Sequence, residues 1–461
     1  MSNEQDNKIS SRRDFLRTAA LSAAAAAGAP AVAKSSVYSL APPQVIGAND
    51  RIRIGHVGVG VQGFGAHVRL LKEEAGKNNT EQVAVCDLYG RRLRQAGNHM
   101  GLSESSWYKE YKKLLDRKDV DAVVIATADN WHAPIAIDAM NAGKHVYCEK
   151  PMCKTVDEAF AIYDTVKKTK RAFQIGSQGT SDPMFENIQK VVKEGKLGKI
   201  VMGQHSYNRG DNRIGEWNSY GDNPYKPPHN DAGPNASGDS HIDWETFRRN
   251  KGPKDWDPDR FFRWRKYWAY GSGLVGDLMP HRLHPMYIAM GIPTTGDGGW
   301  PVRVSAGGVL TVQTKHPEVP GKPDRDVPDF TYTTVDFPEY SLIIMSTTVN
   351  EQGMRPMIRG NKATIIFSGA SAQITPERAF SDEIDAETIP LNSNGEPIQA
   401  HQKNWLDCVR SGKEPNGNID LAVRVQTVIS LGELAYRNNQ TYTWDPKTRS
   451  STPDYKKAAH Q

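Results

Sequence analysis

Asp277 and His281 stand four residues apart, a spacing that places two side chains on one face of a helix. Histidine titrates near neutrality and is the usual general base, and a neighbouring carboxylate can orient its ring and stabilise the imidazolium. Such a pair suits removal of a hydroxyl proton while hydride leaves the same carbon. His284 follows within the same turn and is a candidate substrate contact. Asp277, His281 and His284 could alternatively hold a divalent metal. Pro285, however, disfavours α conformation at His284, and the expectation is that no metal is bound. Just upstream, residues 260–268 read RFFRWRKYW. Aromatic faces stack on the C–H faces of sugar rings and guanidinium groups bond hydroxyls, so Trp264 and Arg265 are expected to face a carbohydrate.

Hydride needs an acceptor, and a nucleotide loop is present. Residues 58–63 read GVGVQG after an apolar run and before a helical pattern, the context in which G-x-G-x-x-G carries meaning. Gly58 permits the tight turn, Gly60 lets backbone approach a pyrophosphate, and Gly63 lets helix and strand pack closely. Gln62 lies within the same loop. Asp87 ends the next apolar run, where a carboxylate accepts hydrogen bonds from adenosine ribose hydroxyls and repels a 2′-phosphate. That favours NAD. Arg91 and Arg92 follow and could hold a 2′-phosphate, which keeps NADP possible. Thr127, Trp131 and His132 follow the third strand at the carboxyl edge of the sheet, where cofactors bind.

These residues need a scaffold to bring them together. Strand-like runs at IRIGHVGVG, EQVAVCD, DVDAVVIAT, GKHVYCEKP and AFQIGSQ alternate with helical patterns, which means a doubly wound parallel sheet. This Rossmann domain is expected over 51–176. A substrate-binding α/β domain follows over 177–444, with β-rich runs such as FTYTTVDF, SLIIMSTTVN and ATIIFSG pointing to a largely antiparallel sheet. Its two amphipathic C-terminal helices are expected to pack against the first domain. From residue 210 to 259 the chain is rich in Asn, Asp, Gly, Pro and Trp, and a loop of that length usually shapes a site or covers a surface. Residues 445–461 read as a polar tail.

Residues 126–151, ATADNWHAPIAIDAMNAGKHVYCEKP, end in Glu149-Lys150-Pro151. With the glycine loop and the later Asp277-Leu278-Met279-Pro280-His281, this resembles the glucose–fructose oxidoreductase/inositol dehydrogenase (Gfo/Idh/MocA) family over nearly the whole chain after residue 50. The resemblance implies an NAD(P)-dependent enzyme in which Glu149 and Lys150 border the cofactor. It also implies that Lys150 lies beside the nicotinamide and the substrate hydroxyl. There Lys150 could have a lowered pKa and relay the proton. The family's second motif reads D-x-G-x-H-x-x-D. Asp277 and His281 match its first Asp and its His, Met279 replaces the glycine, and His284 stands in place of the last Asp.

The N-terminus carries SRRDFLRTAALSAAAAAGAPAVA, an arginine pair before an alanine-rich run and an A-x-A site. That is the layout of a twin-arginine (Tat) export signal over 1–33, followed by a linker over 34–50. It predicts passage through the Tat translocon to the periplasm, with no permanent membrane anchor. The net charge of +5 comes without a basic block interleaved with aromatics, so no nucleic-acid partner is expected. The four cysteines match no zinc spacing and read as free thiols. The reading is an exported oxidoreductase, expected to be a homo-oligomer, that moves hydride to or from a sugar, polyol or glycoside with a retained cofactor. One alternative is an NAD-dependent glycosidase working by transient oxidation and elimination, as some family members do. A non-catalytic sugar-binding protein that retains nucleotide is the other.

Overall fold

Ile52–Val57 (β1) is buried along almost its whole length, as a strand in the middle of a parallel sheet must be. The computed structural model describes residues 51–210 and 213–454. The expected signal peptide and linker, and the tail beyond residue 454, lie outside them.

Thr80–Cys86 (β2), Trp107–Tyr108 (β3), Ala122–Ile125 (β4), His145–Glu149 (β5) and Phe173–Gly176 (β6) join β1 in a sheet of order β3-β2-β1-β4-β5-β6. Every pairing is parallel. The order reverses beside β1, which opens a crevice at the carboxyl ends of β1 and β4. Both faces are covered. Ala133, Ala136 and Ala139 of the helix Asp129–Asn141 share the main core with Val123, Ile125 and Val146. On the opposite face, Trp405, Leu406 and Val409 of the helix Ile398–Ser411 pack against Ile52, Ile54, Val124 and Tyr147. The last part of the chain thus completes the first sheet.

The second sheet is formed by Ile200–Asn208 (β7), Arg303–Val309 (β8), Phe330–Asp336 (β9), Ser341–Thr347 (β10), Met357–Gly360 (β11), Ala363–Ser368 (β12), Ser371–Pro376 (β13), Glu387–Pro390 (β14), Tyr442–Asp445 (β15) and Ser450–Pro453 (β16). Its order is β14-β13-β12-β11-β7-β10-β9-β8-β15-β16. Only β7 and β10 pair in parallel; the other neighbours are antiparallel. Leu342, Ile344 and Val335 point inward against Met279, Leu283 and Met286 of the helical layer. The largely antiparallel second sheet expected from the alternating runs is present.

The stretch from 445 differs from the polar tail expected of it. It folds back as β16 on β15, anchored by the buried rings of Tyr442 and Trp444. A Ser/Thr strand at a sheet edge buries little, so it carries no hydrophobic period. All four cysteines are free and buried. Among the described residues, no helix is long and apolar enough to cross a membrane.

The Asn- and Trp-rich stretch folds onto the carboxyl edge of the first sheet. Trp244, Phe247, Phe261, Phe262 and Tyr270 form an aromatic cluster with Tyr89 and Ala128. Arg91 donates to both carboxylate oxygens of Asp231, each at 2.6 Å, and to Ser240 Oγ at 2.6 Å. Arg92 Nε donates to Asp222 at 2.9 Å, and Arg94 to Asp239 at 3.0 Å. Three ion pairs, from Arg91, Arg92 and Arg94, therefore hold this segment over the helix Gly90–Met100.

Candidate active site

Gly58 follows β1 with φ +84°, a left-handed conformation open to glycine. A Cβ there would lie 2.7 Å from Ala126 O, and one on Gly63 would lie 2.1 Å from Gly58 O. Only glycines allow the helix to start this close to the strand. Gly63 packs beneath the loop, while Gly58, Gly60 and Gln62 border a cavity of about 380 Å³. Asp87 stands at the end of β2 on the same cavity. Its carboxylate accepts from Val59 N at 2.8 Å and Tyr89 N at 2.9 Å. Each oxygen keeps a second lone pair for a ligand. Burial raises the Asp87 pKa, against the Arg92 charge and those two amides.

Arg91 and Arg92 are each neutralised by a carboxylate of the covering segment, Asp231 and Asp222. Neither is a free guanidinium waiting for a 2′-phosphate. Asp87→Ala is therefore expected to weaken NAD binding about tenfold or more, since a hydrogen bond to a charged group contributes about 1.5–3 kcal/mol. NADP should be weakened less. Titration of both nucleotides into the stripped variant checks this; an unchanged preference would move discrimination to Arg91 or Arg92.

Glu149 ends β5 and is buried. Its Oε1 accepts from His67 Nε2 at 2.9 Å, Gln62 Nε2 at 3.1 Å and Gln178 Nε2 at 3.1 Å. Its Oε2 accepts from the Lys150 amide at 3.1 Å. Burial alone would raise its pKa, but His67, Lys150 and Gln62 outweigh that and hold it at about 2. Gln402 donates to His67 Nδ1 at 3.0 Å, which assigns the His67 proton to Nε2. Glu149 thus ties loop, sheet and C-terminal helix together. His132 lines the cavity, with Nδ1 2.6 Å from Pro151 O and Nε2 3.1 Å from Thr127 O. Its two nitrogens face carbonyls of the loops after β4 and β5, and the neutral ring donates to one of them. Thr127, Trp131, Trp264 and Arg265 also border the cavity.

Lys150 Nζ donates to Asp277 Oδ1 at 3.0 Å and to Asp277 O at 2.5 Å. Asp277 Oδ1 also accepts from Arg265 Nε at 3.1 Å, and Oδ2 from Trp217 Nε1 at 2.8 Å. Burial pushes the Asp277 carboxyl up, but Lys150 and Arg265 outweigh it and hold it well below the usual carboxylate range. The lowered pKa expected of Lys150 is not found. Burial does pull it down, yet Asp277 and Glu149 more than offset this and the net shift is upward. Asp129, at the start of the helix behind this pair, accepts from Ser272 N at 3.0 Å. Burial lifts it to about 7, and the Asp277 charge adds to that lift.

Two further expectations are corrected. Asp277 and His281 do not share a helix face, because Gly273–Asp277 ends and Pro280–Ala289 begins between them. Asp277 turns to Lys150, while His281 stacks on Tyr207, with centroids 4.5 Å apart and rings 10° from parallel. His281 Nδ1 lies 3.1 Å from Glu396 Oε1. Burial and then Lys150 lower the His281 pKa, with Glu396 opposing. His284 is not among the residues around the cavity. The helix runs on through Pro285, whose missing N–H leaves His281 O to accept from Arg282 Nη1 instead. That continuation turns His284 into the core, where Nδ1 sits 3.1 Å from Pro280 O and burial lowers its pKa to about 4. Among the described residues no three His, Cys, Asp or Glu side chains group as metal ligands do.

Tyr207, Trp217, Tyr220, Gln178 and Glu396 carry no motif, yet each bonds or stacks with a residue of the site. Tyr220 OH donates to Gln62 Oε1 at 3.2 Å. Trp217 is set by its neighbour Asn218, which lies in a wholly buried ion cluster. Lys266 Nζ stands 2.7 Å from Asp259 and 2.9 Å from Asp324, and donates to Asn218 Oδ1 at 2.9 Å. Arg263 donates to Asn218 O at 2.7 Å.

Residues 52–177 match the model of the Gfo/Idh/MocA oxidoreductase family, described as an NAD-binding Rossmann fold. The first domain is accordingly an NAD-binding Rossmann domain. A glycosyl hydrolase family 109 protein of Shewanella pealeana is 33% identical over 239 residues, 45% of this chain and 50% of that protein. One from Shewanella baltica is 32% identical over 240 residues, with the same shares. The chain spans about half the length of the curated relatives it matches. Among solved structures, a levoglucosan dehydrogenase complexed with NADH and levoglucosan shares the fold at TM-score 0.60 and 17% identity, over 88% of this chain and 99% of that one. An aldose–aldose oxidoreductase from Caulobacter crescentus shares it at TM-score 0.59 and 19% identity, over 85% and 99%.

Proposed function

We propose that this protein is an exported NAD(P)-dependent oxidoreductase that acts on a hydroxyl of a sugar, polyol or glycoside and keeps its cofactor between turnovers. One observation carries the reading: a single cavity joins the glycine loop and Asp87 to Lys150, Asp277 and His281. The loop that a Cβ would fill and the carboxylate at the end of β2 fit a dinucleotide. When bound, the cofactor supplies the hydride acceptor and donor. Gly58, Gly60, Asp87 and Thr127 hold it. Lys150, kept as an ammonium by Asp277 and Glu149, donates a hydrogen bond to the substrate oxygen and stabilises negative charge there. His281, kept neutral by burial and Lys150, accepts the hydroxyl proton. Trp264 and Tyr220 offer ring faces to a carbohydrate.

Retention and export support each other. The Arg91–Asp231, Arg92–Asp222 and Arg94–Asp239 pairs bind the covering segment beside Asp87, over the adenosine side of the cleft. Arg12 and Arg13 sit where a twin-arginine signal has them, and that route carries folded, loaded protein. Outside the cytoplasm no soluble pool of NAD exists to exchange, so the cycle ends with the cofactor in its starting redox state. A second reading, cleavage of a glycoside by transient oxidation and elimination, is favoured by the relatives named glycosyl hydrolase family 109.

The test is protein purified from the periplasm, assayed for bound nicotinamide and for many turnovers of sugars and glycosides without added NAD. Free aglycone would select the second reading. Empty protein that consumes external NAD stoichiometrically would overturn retention, and loaded protein that exchanges no hydride with any carbohydrate would overturn the activity.

A further inference from the structure

Glu396 lies in the segment between β14 and the helix Ile398–Ser411, far in sequence from every motif, yet it borders the cavity beside His281. Its Oε1 is 3.1 Å from His281 Nδ1. Two other groups hold it in place: Arg282 Nη1 donates to Oε1 at 3.3 Å, and Tyr207 OH to Oε2 at 3.4 Å. Tyr207 is also the ring on which His281 stacks. Nδ1 is buried and makes no hydrogen bond of good geometry; at 3.1 Å the Glu396 carboxylate is the charged acceptor beside it. Asp277, the carboxylate nearest in sequence, has both oxygens engaged by Lys150, Arg265 and Trp217.

We propose that Glu396 is the positioning residue for His281: it holds the Nδ1 proton, leaves Nε2 as the base of the ring, and offsets the charge of the imidazolium. This rests on the reading of His281 as proton acceptor. The proton balance is simple. Nε2 takes one proton from a substrate hydroxyl, Nδ1 keeps its own, and Glu396 stays ionised throughout. A carboxylate within a few ångströms favours the protonated ring without needing a proton itself. The groups that face His281 are Lys150 just after β5, Tyr207 on β7, Arg282 and His284 on its own helix, and Glu396. Of these only Glu396 brings a negative charge. The tautomer and ring orientation are therefore set from the C-terminal part of the chain.

The experiment uses the full chain with the cofactor it carries when purified, labelled with ¹⁵N-histidine and titrated by long-range ¹H–¹⁵N spectra. The His281 signals are assigned by their loss in His281→Gln. The wild type is expected to show the Nδ1–H tautomer, and Glu396→Gln to move the His281 titration to lower pH. Glu396→Asp, which keeps the charge, is expected to restore part of that movement. In turnover, the acid limb of kcat/KM should move to lower pH in Glu396→Gln. Its kcat should fall about tenfold, part of the roughly 10²–10⁴ that general base catalysis supplies. An Nε2–H tautomer in the wild type overturns the proposal without any variant. So does a His281 titration in Glu396→Gln that overlies the wild type. If the wild type turns over no carbohydrate, the oxidoreductase reading falls, while the spectra still decide the role of Glu396.

Discussion

Turnover by His281→Ala and by Lys150→Ala is expected to fall by roughly 10²-fold or more, with the purified chain still carrying its cofactor. Neither side chain builds the nucleotide loop, which rests on Gly58, Gly63 and the Asp87 carboxylate. His281→Ala removes the ring that stacks on Tyr207 and faces Glu396, and His132, the other histidine on the cavity, is turned to the Pro151 and Thr127 carbonyls. Lys150→Ala removes the ammonium but leaves Asp277 with Arg265 at 3.1 Å and Trp217 at 2.8 Å, so the helix end stays anchored. Single-turnover absorbance of the bound nicotinamide, read beside its content per chain, separates lost chemistry from lost cofactor. Near-normal turnover in either variant would remove that residue from the assignment.

Lys266→Met is expected to cost about 3–5 kcal/mol of stability, the usual result of breaking a buried ion group by removing one partner. Lys266, Asp259 and Asp324 have fully buried side chains. Without the ammonium, two carboxylates face each other away from water, with Arg263, Arg325 and Tyr267 left to compensate. A methionine fills the space but donates nothing to Asn218 Oδ1, which Lys266 now reaches at 2.9 Å. Trp217 directly precedes Asn218 in the chain and donates to Asp277, so the loss should also reach the site as weaker substrate binding. Urea denaturation of the variant beside Lys266→Met/Asp259→Asn measures it, since removing one of the stranded charges should recover part of the loss. A cost below about 1 kcal/mol for the single change would show that the cluster contributes little.

Much of the first domain was legible because its signals are local. A buried parallel strand announces itself as an apolar run, and a glycine that must turn left-handed against a neighbouring carbonyl leaves few other residues possible. Gly58, Gly63 and Asp87 fall into place on those grounds alone. β3, with two residues, and β16, with three polar ones and a proline, escaped because they bury too little to show a period. The Trp- and Asn-rich stretch after residue 209 announced a long functional loop, but not that three arginine–aspartate pairs would hold it over the first domain.

What the sequence alone determined is therefore the inventory and the scaffold: an alternating strand–helix half that carries a dinucleotide loop, an antiparallel second sheet, and a lysine, an aspartate and a histidine whose side chains can hold or move a proton. What only the tertiary structure decided is who pairs with whom. Spacing put Asp277 beside His281, but Pro280 starts a new helix and sends the two side chains to different partners. Pro285 was expected to release His284 from the helix; the helix instead absorbs the missing N–H and buries the ring. Glu396 meets His281 only because the C-terminal segment returns across both sheets. Ion pairs depend on distances through space, and those are set by how strands, loops and returning helices close on one another, which no local period in the chain encodes.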